Sequence, residues 1–111
     1  MKRPRQFSEK HLDRIRQLPC LICLNNIMTE AAHIRMADPR IAKPLTGGGT
    51  KPDDKYTVPL CGDHHREQHK TSERAFWDKY KLDPILISLA LYSCKDHGEA
   101  EDLIRRIADF R

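Results

Sequence analysis

The sequence predicts a small α+β domain stapled by a metal ion, and three observations carry that prediction. Two ligand clips, Cys20-x-x-Cys23 and Cys61-x-x-His64, stand in one short chain. Two strand-like segments, 27–35 and 55–60, flank a long irregular stretch, and five further segments carry helical spacing or capping signals.

With 111 residues, the chain is expected to form one domain: a basic arm and helix over 1–19, a core over 20–71 and C-terminal helices over 72–111. Only 39% of residues are hydrophobic and 32% are charged, so the core is modest and a chain of this size gains from a staple. No apolar run is long enough to span a membrane. The opening Met1-Lys2-Arg3-Pro4-Arg5-Gln6 is basic and is followed by polar sequence, so no secretory signal is read there and a cytoplasmic location is expected.

Residues 8–18 read as a helix capped by Ser8, with Leu12, Ile15 and Leu18 inward and Pro19 as the stop. The cysteine knuckle follows, then the strand 27–35 with His33 near its end. Met36 to Asp54, with three prolines and Gly47-Gly48-Gly49, reads as a loop. The triplet is no phosphate-binding loop, because Thr50-Lys51-Pro52 cannot supply the required Gly-Lys-Ser/Thr. The segment 55–60 is rich in strand formers, and Pro59 places it at an edge. Residues 62–71 form a polar helix. The segments 72–81 (Ser72 as cap), 84–94 (Asp83 as cap, Pro84 first) and 99–110 complete the helices, with Ile85, Leu86, Leu89, Leu91, Leu103, Ile104 and Ile107 expected inward.

The paired clips favour structural zinc on Cys20, Cys23, Cys61 and His64, since zinc takes four N/S ligands and a two-residue spacer lets each clip chelate one ion. A thioredoxin-type redox pair would open a helix after a strand, whereas Cys20 follows a helix. Cys94 reads as a core thiol. His65 and His69, four apart on one helix face, together with His33 form a second constellation able to bind an ion, with solvated surface histidines as the alternative.

The run Ala32-His33-Ile34-Arg35, then Val58-Pro59-Leu60-Cys61-Gly62-Asp63-His64-His65, with the upstream Cys-x-x-Cys, resembles zinc-stapled HNH endonucleases of small phage and prophage type over about residues 19–70. The resemblance implies a ββα-metal core, with His33 as general base and with His65 and His69 as ligands of a catalytic Mg²⁺, Mn²⁺ or Ni²⁺, His65 counted with His33 in the catalytic set. It also implies structural zinc on the four clip residues. Position 32, where that family carries an Asp or His ligand, is Ala, and the family's middle Asn falls near Tyr56; Asp38, Asp53 or Asp54 from the loop are candidates to complete the shell.

Residues 1–19 hold six Lys/Arg against Glu9 and Asp13, which accounts for the whole formal charge of +4. Such an arm suits a polyanion, here double-stranded DNA, with Arg3, Arg5, Arg35, Arg40 and Lys51 as phosphate contacts; a solvated terminus is the alternative. The expected function is metal-dependent hydrolysis of DNA phosphodiester bonds with weak base specificity. The alternative is a non-catalytic zinc-stapled module that binds nucleic acid. A dimer is compatible with either.

Overall fold

A short helix, a zinc-type knuckle and a two-stranded sheet come first along the chain, and four helices follow. The computed structural model describes residues 6–41, 43–46 and 52–110. Arg3, Arg5, Lys51 and the Gly47-Gly48-Gly49 triplet lie outside the described residues.

Helix α1 spans Glu9–Arg16, with the Ser8 side chain accepting from the His11 amide at 3.3 Å. Its inward face is His11, Leu12 and Ile15, and it packs on both strands. Strands β1 (Thr29–His33) and β2 (Thr57–Cys61) pair antiparallel, in a register running from Thr29 opposite Cys61 to His33 opposite Thr57. Ala32 and Val58 face each other, both fully buried. Pro59 brings no N–H to the ladder, and its carbonyl turns away to accept from the Leu21 amide at 2.9 Å. That bond docks the knuckle onto the back of β2.

Among the described residues of the stretch between the strands, those around Asp38 and Lys43 are held in place by the backbone. Asp38 and Lys43 bridge their backbones around a 3₁₀ turn over Pro39–Ile41. Lys43 is buried, and its ammonium donates to the Met36 carbonyl at 2.7 Å.

Helices α2 (Gly62–Lys70), α3 (Glu73–Tyr80), α4 (Pro84–Ser93) and α5 (His97–Asp109) follow; α3 and α4 carry the expected caps, α2 has no side-chain cap, and α5 starts two residues earlier than expected because Asp96 caps it. Ser72 accepts from the Ala75 amide at 3.0 Å, and Asp83 accepts from the Ile85 and Leu86 amides at 3.1 Å. Helix α4 is apolar nearly all round, so periodicity does not choose its inner face. Ile85, Ser88 and Leu91 are buried, whereas Leu86 is 52% exposed, contrary to expectation. The cap at Asp83 sets the helix phase, and Ser88 satisfies its hydroxyl on the Ile85 carbonyl at 2.8 Å. Ile104 is buried on α5 as expected, with Ala100 beside it, while Leu103 and Ile107 are only partly buried.

Ile15, Leu18, Leu21, Ile34, Val58, Leu60, Phe76, Trp77, Ile85, Leu91 and Ile104 form one core. The Arg14 guanidinium fastens α1 to the α4–α5 turn, donating to the carbonyls of Leu91, Cys94 and Asp96. The radius of gyration, 13.2 Å, matches the value of about 13 Å expected for a compact chain of this length. No helix among the described residues is long and apolar enough to cross a membrane.

Candidate metal centre and histidine cleft

The two clips meet as their spacing predicts. After α1 the chain makes a tight knuckle in which the Cys20 amide donates to the Asn25 carbonyl at 2.8 Å and the Leu24 amide to the Cys20 carbonyl at 2.9 Å. Closing that turn puts Leu24 in the left-handed region at φ 63°, a conformation a branched side chain adopts only where its surroundings impose it. The second clip sits where β2 runs into α2, so Cys61 is at a strand end and His64 one turn into the helix.

Ligand atoms of Cys20, Cys23, Cys61 and His64 all lie within 4.8 Å of one another. Cys23 Sγ is 3.8 Å from Cys61 Sγ, and His64 Nδ1 is 3.2 Å from Cys61 Sγ and 3.7 Å from Cys20 Sγ. Tetrahedral zinc with bonds of about 2.3 Å to sulfur and 2.0–2.1 Å to nitrogen sets its ligands about 3.6–3.8 Å apart. The donor set therefore has the chemistry and spacing to hold a metal ion such as zinc. Burial pushes the Cys20 thiol up to about 11, so an incoming ion displaces its proton and affinity rises with pH. The Ile22 amide points at Cys20 Sγ at 3.4 Å, a bond that supports the thiolate once formed.

Three other histidines line a separate cleft of about 520 Å³ between α1, β1 and α2. His33, His65 and His69 share its wall with Arg35, Asp54 and Arg16. His33 Nε2 lies 3.0 Å from Asp54 Oδ1, and Asp54 is 2% exposed. The other carboxylate oxygen of Asp54 accepts the Ser8 amide at 2.7 Å, while Asp53 accepts the Gln6 amide at 2.8 Å. Facing the Asp54 carboxylate, His33 Nε2 is placed to donate to it.

Across the cleft, His65 Nδ1 is 2.7 Å from Glu30 Oε1, which leaves Nε2 as its ligand atom. His69 Nε2 is 3.2 Å from His65 Nε2. Two nitrogens bonded to one ion at about 2.1 Å and 90–109° are about 3.0–3.4 Å apart, so the pair has the spacing of a shared ion. Burial and the charges of His65 and Arg35 hold His69 below the ordinary histidine range, which favours the neutral, ligating imidazole.

Several sequence-predicted residues fall elsewhere. Arg40 is tied to Asp38 and Asp83, well apart from the cleft lining, so it is not placed to hold a phosphate there. Asp38 serves that ion pair, Asp53 holds the arm, and only Asp54 of the loop aspartates lines the cleft. Tyr56 is buried between the Lys43 and Lys55 ammonium groups, 5.1 and 5.2 Å from its ring. Glu30 escaped sequence reasoning because its partner is 35 positions away, and no local pattern marks it.

Fold and centre together define a small α+β protein with a Cys3His site suited to a metal. The chain belongs to the family described as proteins of unknown function DUF968, which matches residues 1–93. That finding corrects the resemblance to HNH endonucleases, since DUF968 is a distinct family and the match takes in nearly the whole chain. The departures at Ala32 and Tyr56 lie where the resemblance was weakest: Ala32 is packed in the core rather than facing the cleft. The chain is similar to the Uncharacterized protein YdfU of Escherichia coli (strain K12), with 36% identity over 79 residues, 71% of this chain and 20% of that protein. The chain thus spans a fifth of the length of that relative. No solved structure matches it.

Proposed function

We propose that the histidine cleft hydrolyses phosphodiester bonds in nucleic acid with the help of one divalent ion. The observation that carries this reading is the pairing, across one cleft, of a carboxylate-held imidazole (His33 on Asp54) with two convergent imidazole nitrogens (His65 and His69). His65 and His69 would hold an ion such as Mg²⁺, Mn²⁺ or Ni²⁺, which would supply charge stabilisation at the phosphate and the leaving 3′ oxygen. His33 takes a proton from the attacking water as the new O–P bond forms and the P–O3′ bond breaks, Asp54 stabilises the imidazolium, and the leaving 3′ oxygen takes its proton from solvent water. Arg35 lines the same cleft and would supply a cation to the phosphate. The Cys3His site keeps β2, α2 and the knuckle in one piece, which fixes His65 and His69 against β1.

A second reading, a zinc-stapled module that binds nucleic acid without cutting it, is favoured by a specific observation. Among the described residues, the Cys3His set is the group of three or more donors within ligand range, and the His65–His69 pair has no third such donor. A supercoiled-plasmid assay separates the two, run on zinc-replete protein with Mg²⁺, Mn²⁺, Ni²⁺ or EDTA beside His33→Ala. Nicked or linear product that needs an ion and disappears in the variant supports hydrolysis. Salt-sensitive binding with no product under any ion supports the module.

A further inference from the structure

We infer that Phe7 is a stacking platform for an unpaired nucleobase next to the phosphate; the inference rests on the reading of the histidine cleft as a nucleic-acid site. Phe7 lines that cleft together with His33, Arg35, His65 and His69, and it is 74% exposed. A single apolar side chain at the surface is ordinary. What sets Phe7 apart is how its backbone is held.

The residues on either side of Phe7 are clamped to the pair of aspartates that reaches His33. The Gln6 amide donates to Asp53 Oδ1 at 2.8 Å, the Asp54 amide donates to the Gln6 carbonyl at 3.0 Å, and the Ser8 amide donates to Asp54 Oδ2 at 2.7 Å. Asp53 and Asp54 are both buried, so water competes little for these bonds. The other oxygen of Asp54 lies 3.0 Å from His33 Nε2. One carboxylate therefore fixes both the imidazole and the backbone beside the ring, and Phe7 keeps a set place relative to His33 while its side chain stays in solvent. An aromatic surface mounted in this way gives up little freedom when a flat ligand settles on it.

Every nucleobase has a π face, and stacking of bases on aromatic side chains tolerates any sequence. That suits a cleft whose other groups, Arg35 and the histidines, answer to a phosphate rather than to base edges. In the interior of a duplex both faces of a base are covered by its neighbours, so only an unpaired base offers a face to the ring. Lys2, Arg3 and Arg5 stand two to five residues before Phe7 in the sequence, cations of the kind that neutralise a phosphate backbone. Leu12 and Ala31 add apolar surface to the same cleft.

The test uses the intact zinc-bound protein without added divalent ion, at one fixed salt concentration, with three probes of equal length: single-stranded oligothymidine, the same strand paired as a duplex, and an abasic strand that keeps the phosphates. Phe7→Leu is expected to weaken oligothymidine by about 5- to 100-fold, the loss of one stacked base, and to leave the duplex and the abasic strand unchanged. Phe7→Trp is expected to restore the affinity, and its exposed indole to be quenched by oligothymidine against the steady emission of the buried Trp77. Equal losses on all three probes, an unchanged affinity in Phe7→Leu, or an unquenched indole overturn the platform. So does self-association that Phe7→Leu abolishes while oligothymidine binding stays the same, which assigns the ring to a contact between copies. Quenching in a protein that cuts no plasmid under any ion upholds the platform and sinks the hydrolytic reading; metal-dependent cutting with an unquenched indole does the reverse.

Discussion

Asp54 joins His33 to the start of the first helix: one carboxylate oxygen lies 3.0 Å from His33 Nε2, and the other takes the Ser8 amide at 2.7 Å. The same side chain therefore orients an imidazole in the cleft and anchors the segment that enters α1. Asp54→Asn is expected to lower the rate of phosphodiester cleavage by roughly 100-fold or more, because the amide cannot stabilise an imidazolium. Nucleic-acid affinity should hold, so a fall confined to kcat identifies positioning of His33. A matching fall in affinity would assign Asp54 to binding instead.

Removal of the zinc-type site has a larger structural effect. Cys61→Ser is expected to cost on the order of 3 kcal/mol, shifting Tm by roughly 10–20 °C for a chain of this length, with chelation of the wild-type protein producing a similar shift. Metal analysis should give one equivalent of zinc in the wild type and markedly less in the variant. Unchanged melting after complete loss of metal would show that the core stands without it.

Glu30 acts on the second ion site through His65. Glu30→Gln is expected to weaken binding of Mn²⁺ to the cleft by about 10- to 100-fold while leaving the zinc-type site filled. Calorimetry of zinc-loaded protein measures this, and equal Mn²⁺ affinity in both proteins would remove Glu30 from that role.

His11 gives a pH dependence that belongs to the fold rather than to the cleft. It is 6% exposed, its Nε2 has no partner among the described residues, and its ring meets Tyr92 edge-on at 4.9 Å. Burial chiefly, with the nearby Arg14 charge, holds it below the ordinary histidine value of 6.5, and Asp54 opposes this only in part. The unfolded chain then binds the extra proton first on acidification, so this contribution is fully present above about pH 6.5 and is lost as pH falls towards the lowered folded value. Melting followed from pH 7.5 to 5 should fall more steeply for the wild type than for His11→Leu. Parallel curves would contradict it.

Arg14→Met is expected to destabilise the fold by about 2 kcal/mol, since three carbonyls at the α4–α5 turn lose their shared donor. Denaturant titration checks it, and a loss within experimental error would show that water replaces the guanidinium.

Local signals and long-range contacts were not equally visible in the chain. The caps at Ser8, Ser72 and Asp83 and the two clips are short-range grammar, and each forms the contact its spacing implies. The convergence of His65 and His69 follows from helix geometry alone. By contrast, His33–Asp54 and His65–Glu30 bridge 21 and 35 positions. Those pairs depend on the register of β1 against β2 and on how α2 leaves the sheet, which no local pattern specifies. The ordering around Asp38 and Lys43 was hidden for a similar reason, because a proline-rich stretch looks irregular until a buried lysine is seen closing it. The family resemblance drawn from short motifs failed where whole-chain membership was decided elsewhere.

The two strands that pair in this sheet are joined by residues 34–56, so no tight turn sets their alignment. Their meeting is a distant encounter that must overcome loop-closure entropy before the ladder returns any stabilisation. An ion gathering Cys20 and Cys23 with Cys61 and His64 brings the far end of β2 back to the knuckle and shortens that search. Metal supply is then expected to set how quickly a newly made chain reaches its native register, and refolding followed with and without zinc checks it; slower refolding would leave the core residues Val58, Leu60 and Ile34 exposed for longer.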